Sequence, residues 1–178
     1  MREMKELEPR QVALGEGVAW TFDRGPKPGE AAPGLELPDA AFKMWSLGDF
    51  AGRARVVAMV PTFETPAGRE SLSRLVEIAG KRPDCEVFGV SVDVPFALVR
   101  VLDEARPPEN LRLLSAFRSP EVGMEWGTLL VEHPMMGLLA RAVFVVGGDG
   151  RVKYAEVAKD VLGQPDWDAA SAAVEKGD

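Results

Sequence analysis

Thiol and imidazole are nearly missing from this chain: its 178 residues include one cysteine, Cys85, and one histidine, His133. An intramolecular disulfide is therefore excluded, and a zinc site built on Cys and His has too few ligands. Ser-His-Asp and Cys-His hydrolase chemistry is excluded as well, unless His133 serves as the base. No cofactor is implied. No apolar run approaches the ~20 residues that cross a bilayer. The opening residues, MREMKELEPRQ, are charged and lead into no apolar segment, so no signal peptide is expected there. Positive charge is in deficit: Lys and Arg number 21 against 28 Asp and Glu, a formal net charge of −7. Without a basic stripe, neither a nucleic-acid backbone nor an anionic membrane surface is an expected partner. The composition fits a cytoplasmic protein.

What the chain has in quantity is apolar residues, 46% of the total, enough for one domain with a full core. A single domain over 1–178 is expected, with 1–40 forming an N-terminal hairpin and arm. Residues 10–22 alternate loosely through Val12, Leu14, Val18, Trp20 and Phe22, with Gly15-Glu16-Gly17 at the turn of the hairpin. The prolines of 23–38 break regular structure there, and Leu35 and Leu37 require that this arm pack on the domain. A short strand is expected at 41–45 and a helical turn at 46–50. Later strands are expected at 86–92, 111–114 and 141–146, and Gly147-Gly148-Asp149-Gly150 turns the last of these back onto 152–157. Helical spacing marks 95–104, with Phe96, Val99 and Leu102 inward, and 165–174, with Trp167, Ala170 and Val174 inward. A helical turn at 121–126 precedes a loop over 129–139. Strand, helix, strand, helix, strand, hairpin and helix in that order give an α/β fold with a mixed sheet.

The chain is organised around 56–73, VVAMVPTFETPAGRESLS. Val56, Val57, Ala58, Met59 and Val60 read as a buried strand that Pro61 ends. Residues 62–67 form a polar loop, and from Gly68 the spacing turns helical through Leu72, Leu75, Val76 and Ala79, until Gly80 and Pro83 stop it. A strand that runs into a loop and opens a helix aims backbone N–H groups at whatever the loop holds. It suits a nucleophile or an anion, yet no conventional nucleophile stands there.

Several separated motifs give this chain a family likeness. They are Leu47-Gly48-Asp49-Phe50-Ala51-Gly52, the stretch 61–71, Ser91-Val92-Asp93-Val94-Pro95-Phe96-Ala97, Leu114-Ser115-Ala116-Phe117-Arg118 and Gly137-Leu138-Leu139-Ala140-Arg141-Ala142-Val143. In order and spacing they resemble a peroxiredoxin of the bacterial thiol peroxidase subfamily, and the likeness extends over most of the chain. The resemblance implies a thioredoxin-like fold, with a mixed central sheet flanked by helices and an N-terminal β-hairpin. It also implies a homodimer, for which Met135 and Met136 are the expected contact. The family's active-site pattern, Pro-x-x-x-Thr-x-x-Cys with an Arg from a later strand, places its proline on Pro61, its threonine on Thr65 and its arginine on Arg141. The peroxidatic cysteine falls on Gly68 and the resolving cysteine on Leu102, so both sulfurs are missing.

Peroxide reduction of this kind needs a thiolate at the first helical turn, its pKa lowered by the helix N-terminus and the arginine. Glycine cannot attack, so no ordinary peroxidase activity is expected from Pro61, Thr65, Gly68 and Arg141. The reading is a thiol peroxidase-like homologue with a binding or regulatory role. The alternative is an antioxidant oxidoreductase that works through Cys85 or a partner's thiol. Ser71, one turn beyond Gly68, is read as a surface or helix-start residue, because a hydroxyl without a base is a poor nucleophile. Glu70 suits the helix dipole. Cys85 is read as packing and His133 as a solvated loop residue. Loss of the cysteine is expected to open space at Gly68 facing Arg141, and a Cys restored there is expected to have a low pKa. A small anion or a partner's carboxylate would occupy the space. In the other reading Arg141 pairs with Glu64 or a neighbouring carboxylate and water fills the pocket.

Overall fold

Alternation along one short strand divides the molecule into two layers. In the computed structural model, which describes residues 7–175, Val56, Ala58 and Val60 face one buried cluster while Val57 and Met59 face the other. Period-two side chains on a strand covered from both sides give this pattern, and all five residues of the strand are buried.

The chain begins with an antiparallel hairpin, β1 (Gln11–Leu14) and β2 (Gly17–Trp20), as expected. The arm is less irregular than its prolines suggest. It contains β3 (Glu36–Pro38), which pairs with β4 (Met44–Ser46) and sets Leu37 opposite Trp45. The strand expected at 41–45 therefore starts later. Asp39 is the reason, since its carboxylate accepts from the Ala41 and Lys43 N–H groups at 2.8 and 3.0 Å and holds those residues in a turn. A 3₁₀ turn (Leu47–Phe50) follows, capped reciprocally by Ser46 and Asp49.

The central sheet contains β5 (Arg55–Met59), β6 (Glu86–Ser91), β7 (Leu111–Ser115), β8 (Ala142–Val146) and β9 (Val152–Val157), in the order β7-β6-β5-β8-β9. The β7, β6 and β5 strands are parallel to one another, and β8 and β9 run antiparallel. The sheet is mixed, as the element order predicts. Helices α1 (Pro66–Lys81), α2 (Pro95–Ala105) and α4 (Trp167–Glu175) bury Leu72, Leu75, Leu98, Val101, Trp167 and Val174 on one face. On the other face Val12, Leu35, Leu37 and Trp126 from the hairpin, the arm and the end of α3 (Pro120–Glu125) meet Val57, Met59 and Phe144. The Trp126 ring packs edge-on against Phe144 at 4.9 Å.

The inner face of α2 differs from the expected one. Pro95, Leu98 and Val101 are buried, whereas Phe96 and Val99 are exposed and Leu102 is half-buried against the core. Both triads have the same i, i+3, i+6 spacing, so periodicity alone does not choose between them. Strand β7 chooses: Leu98 and Val101 share a cluster with its Leu111 and Leu113. Leu98→Ala is expected to lower unfolding free energy by about 2–5 kcal/mol. Phe96→Ala is expected to change it by no more than about 0.5 kcal/mol. Urea unfolding of the two variants checks the face, and the reverse ranking would refute it.

Candidate functional site

The C-terminal end of β5 runs through buried Pro61 into a loop that is tied down on both sides. On one side Asp93, just past β6, accepts from the Thr62 hydroxyl at 2.6 Å and from the Phe63 N–H at 2.8 Å. The same carboxylate receives the Ser91 hydroxyl at 2.8 Å. On the other side Thr65 is the N-cap of α1, its Oγ1 accepting from the Gly68 N–H at 3.1 Å. Pro66 then occupies the first helical turn, where its missing N–H costs nothing. The helix thus starts two residues before Gly68.

This closure decides what Gly68 can be. A Cβ on residue 68 would lie 2.1 Å from the Thr62 carbonyl oxygen and 2.9 Å from the Phe63 Cα. The space expected at Gly68 is therefore filled by backbone. The Phe63 ring is wholly buried in the helix-side cluster, where it lies against Gly89: a Cβ there would meet the ring at 2.9 Å. The loop consequently has an apolar anchor as well as a polar one. A cysteine introduced at 68 has no place unless 62–63 moves, contrary to the expectation that it would recover a low-pKa thiol at once.

Arg141, immediately before β8, is brought to the same helix but is already engaged. It is 2% exposed. Its Nε donates to the Ser71 hydroxyl at 3.1 Å, and one terminal nitrogen donates to the carbonyls of Val161 and Gly163, both at 2.9 Å. Burial lowers its pKa from the ordinary arginine value, and the charge of Glu70 opposes that shift. The expected pairing with Glu64 does not form. Glu64 instead faces outward to Arg100 and, at 3.7 Å, to Arg69, tying the loop to α2.

Ser71 is fully buried rather than on the surface. Its Oγ lies 3.1 Å from the Ala67 carbonyl and 2.9 Å from Gln164 Oε1. Gln164 in turn donates to the Ala67 carbonyl at 2.9 Å and accepts from the Trp167 indole at 3.0 Å. Ser71, Arg141 and Gln164 therefore form one polar network under the first turns of α1, and Gln164 and Asp93 are positioning residues that the sequence reading missed. A serine one turn after Gly68, on the same face as Leu72 and Leu75, was the available signal for burial.

The remaining candidates lie elsewhere. Leu102 packs on α2, and its carbonyl accepts the Arg106 N–H at the helix end. Cys85 is fully buried at the start of β6, beside the beginning of β5. Five residues of strand, at about 3.3 Å each, separate that end of the sheet from the loop. Burial pushes the Cys85 thiol up to about 11, so it is protonated at neutral pH. His133 is exposed in the 129–139 loop. Within that loop Leu129 and Leu139 bridge to each other, with Met135 half-buried and Met136 exposed. Among the described residues no His, Cys, Asp or Glu trio is placed to hold a metal ion, and no helix is long and apolar enough to cross a membrane.

A mixed five-stranded sheet with helices on one face, an N-terminal hairpin and a strand–loop–helix junction beside a buried arginine defines a thioredoxin-like α/β protein of the peroxiredoxin kind. Solved structures agree on the fold. A peroxiredoxin-like protein from Aquifex aeolicus matches with a TM-score of 0.87 and 26% identity over 94% of this chain and 96% of its own. A thiol peroxidase from Chromobacterium violaceum matches with a TM-score of 0.84 and 22% identity over 94% and 96%. The Redoxin family model matches residues 27–171, and the chain belongs to the Redoxin family within the peroxiredoxin superfamily. Its similarity to thiol peroxidases extends along the sequence. It is 33% identical to the Mycobacterium bovis thiol peroxidase over 92% of this chain and 98% of that one. It is 35% identical to that of Corynebacterium glutamicum over 84% and 89%.

Alanine is the better helix former by about 1 kcal/mol, but at residue 68 its methyl must displace the Thr62 carbonyl. Gly68→Ala is expected to destabilise the protein by about 1–3 kcal/mol, as overpacking does. Denaturant unfolding checks this, and unchanged or raised stability would mean that the loop yields freely.

Proposed function

We propose that this chain is a thiol peroxidase-like peroxiredoxin homologue that no longer carries out cysteine-based peroxide reduction and acts by binding, in a regulatory role, as a cytoplasmic homodimer. In this reading Gly68 stands at the peroxidatic position and Leu102 at the resolving one, while Pro61, Thr65 and Arg141 are the retained frame. The observation that carries it is steric: the Thr62 carbonyl fills the position that the first side-chain atom of residue 68 would take. The Thr65 hydroxyl caps the helix, and Nε and one terminal nitrogen of Arg141 donate to Ser71 and two carbonyls. Nothing in this arrangement supplies a nucleophile, and bond cleavage in a peroxide needs one.

Thiol-dependent turnover through Cys85 draws no support from its surroundings. The sulfur is inaccessible, protonated, and at the far end of the sheet from the junction. For the dimer, Met136 is the residue of the 129–139 loop that supports the reading, being a flexible apolar side chain that is 52% exposed.

The purified protein is expected to consume hydrogen peroxide and organic hydroperoxides no faster than the protein-free control, with dithiothreitol or thioredoxin as reductant. Turnover comparable with a cysteine-bearing thiol peroxidase would overturn the proposal, and its loss in Cys85→Ser would assign the activity to that thiol. Sedimentation equilibrium is expected to return about twice the 19.3 kDa chain mass. A monomer at tens of micromolar would refute the dimer alone.

A further inference from the structure

A second buried arginine sits at the opposite end of β5 from the junction. Arg55, the first residue of the strand, is 3% exposed, yet no carboxylate lies within ion-pair distance of it among the described residues. Full burial of a cation without an anion is rare, because desolvation costs several kcal/mol that only a partner offsets. A guanidinium carries five N–H donors. In Arg55 one is accepted by the Leu47 carbonyl at 3.3 Å and another by the Gly147 carbonyl. The Nε–H has no acceptor among the described residues.

Arg55 lines a groove of about 230 Å³ between the arm, the 3₁₀ turn and the β8–β9 hairpin. It is the one charged residue among the groove's walls, which are otherwise formed by 32–35, 46–48 and Gly150. The Ser46 hydroxyl is also there. Its oxygen accepts the Gly48 N–H at 3.1 Å, and its own proton has no protein acceptor among the described residues. Burial lowers the Arg55 pKa, and the charge of Asp149 opposes that shift. That carboxylate is occupied by Lys153 at 2.9 Å and by the Arg151 N–H at 3.0 Å. Asp49, across the 3₁₀ turn, is committed to the Ser46 N–H at 2.8 Å. The groove therefore presents a fixed cation and unused donors, and no acidic residue is among its described walls.

We propose that this groove is a binding site for a small oxyanion, a phosphate, sulfate or carboxylate group, which accepts from Arg55 and from the Ser46 hydroxyl. The guanidinium fork matches such groups, and the low-dielectric surroundings strengthen the attraction. The site is some five strand residues away from the Gly68–Arg141 junction and rests on none of its residues, so it stands whether or not the protein turns over peroxide.

Thermal unfolding in inorganic phosphate, sulfate or acetate, at ionic strength balanced with chloride, tests the proposal on the intact chain. The midpoint is expected to rise and saturate with phosphate or sulfate, as ligand linkage requires, and the acetate arm shows whether a carboxylate suffices. Arg55→Met is expected to weaken the apparent affinity at least tenfold. If that variant does not fold, Arg55→Lys is expected to retain the charge and still lose several-fold through loss of the fork. Crystals soaked in selenate are expected to show anomalous density beside Arg55. No rise beyond the chloride control, an equal response in both Arg55 variants, or selenate bound only elsewhere would overturn it.

Discussion

The candidate site depends on the approach of one carbonyl to one α-carbon. Only a residue without a Cβ lets the Thr62 carbonyl come so close to position 68, and several interactions maintain that approach. The Asp93 carboxylate holds the Thr62 hydroxyl and the Phe63 N–H, and Phe63 fills apolar space beneath α1. Thr65 then caps the helix on the far side of the loop. A buried aromatic anchor and two hydrogen bonds to an ionised carboxylate amount to several kcal/mol of local stabilisation. The loop is thus fixed by contacts that do not involve any reacting group. Glycine at 68 is a requirement of this packing as well as the absence of a sulfur.

Arg141 also ties this region together. An arginine that steers a peroxide must present donors to a cavity. Here it donates to a buried hydroxyl and to two carbonyls of the segment after β9. Those bonds join α1, β8 and the 161–164 turn, and Gln164 extends the network to Trp167 at the start of α4. Removing the guanidinium would leave buried acceptors without donors, a loss of about 1–3 kcal/mol for each group. Arg141 therefore contributes to the stability of the fold.

Much of the fold was legible because burial on both faces of the sheet leaves short continuous apolar strands, as at 56–60 and 142–146, and because Gly and Pro punctuate them. The closing helix was legible for a related reason, since Trp167, Ala170 and Val174 are spaced to form one stripe and are all buried. Where two stripes were available, as on α2, the sequence did not distinguish them, because Phe96 and Val99 satisfy the same period as Leu98 and Val101. The strand pair of Leu37 and Trp45 was hidden by prolines and by an Asp39 turn whose effect depends on side-chain hydrogen bonds. At the junction, Pro61, Thr65 and Gly68 could be placed from spacing and resemblance. The collapse of the loop could not, since it rests on contacts with Asp93 and Gly89, about 25–30 residues away. Ser71 was misplaced for a comparable reason: a hydroxyl reads as polar until the partners that make its burial tolerable are known.

The two ends of β5 make an electrostatic contrast. Each carries an almost fully buried arginine in a protein whose formal net charge is −7, and neither has a carboxylate within ion-pair distance among the described residues. At the end with Arg141, backbone and side-chain acceptors are gathered around the cation from three elements, so neutral dipoles solvate it. At the Arg55 end the acceptors are fewer: two carbonyls serve five donors, and the Nε–H is left over. Carbonyl dipoles can replace water around a cation only when enough of them converge. At the junction Ser71 and two carbonyls take up three of the five Arg141 donors, and at the other end two carbonyls take up two of the Arg55 donors, so both ends keep N–H groups that an oxyanion can accept from. What distinguishes the beginning of β5 is that the Arg55 Nε–H is buried with no acceptor among the described residues, and a desolvated donor of that kind is stabilised most by an anion.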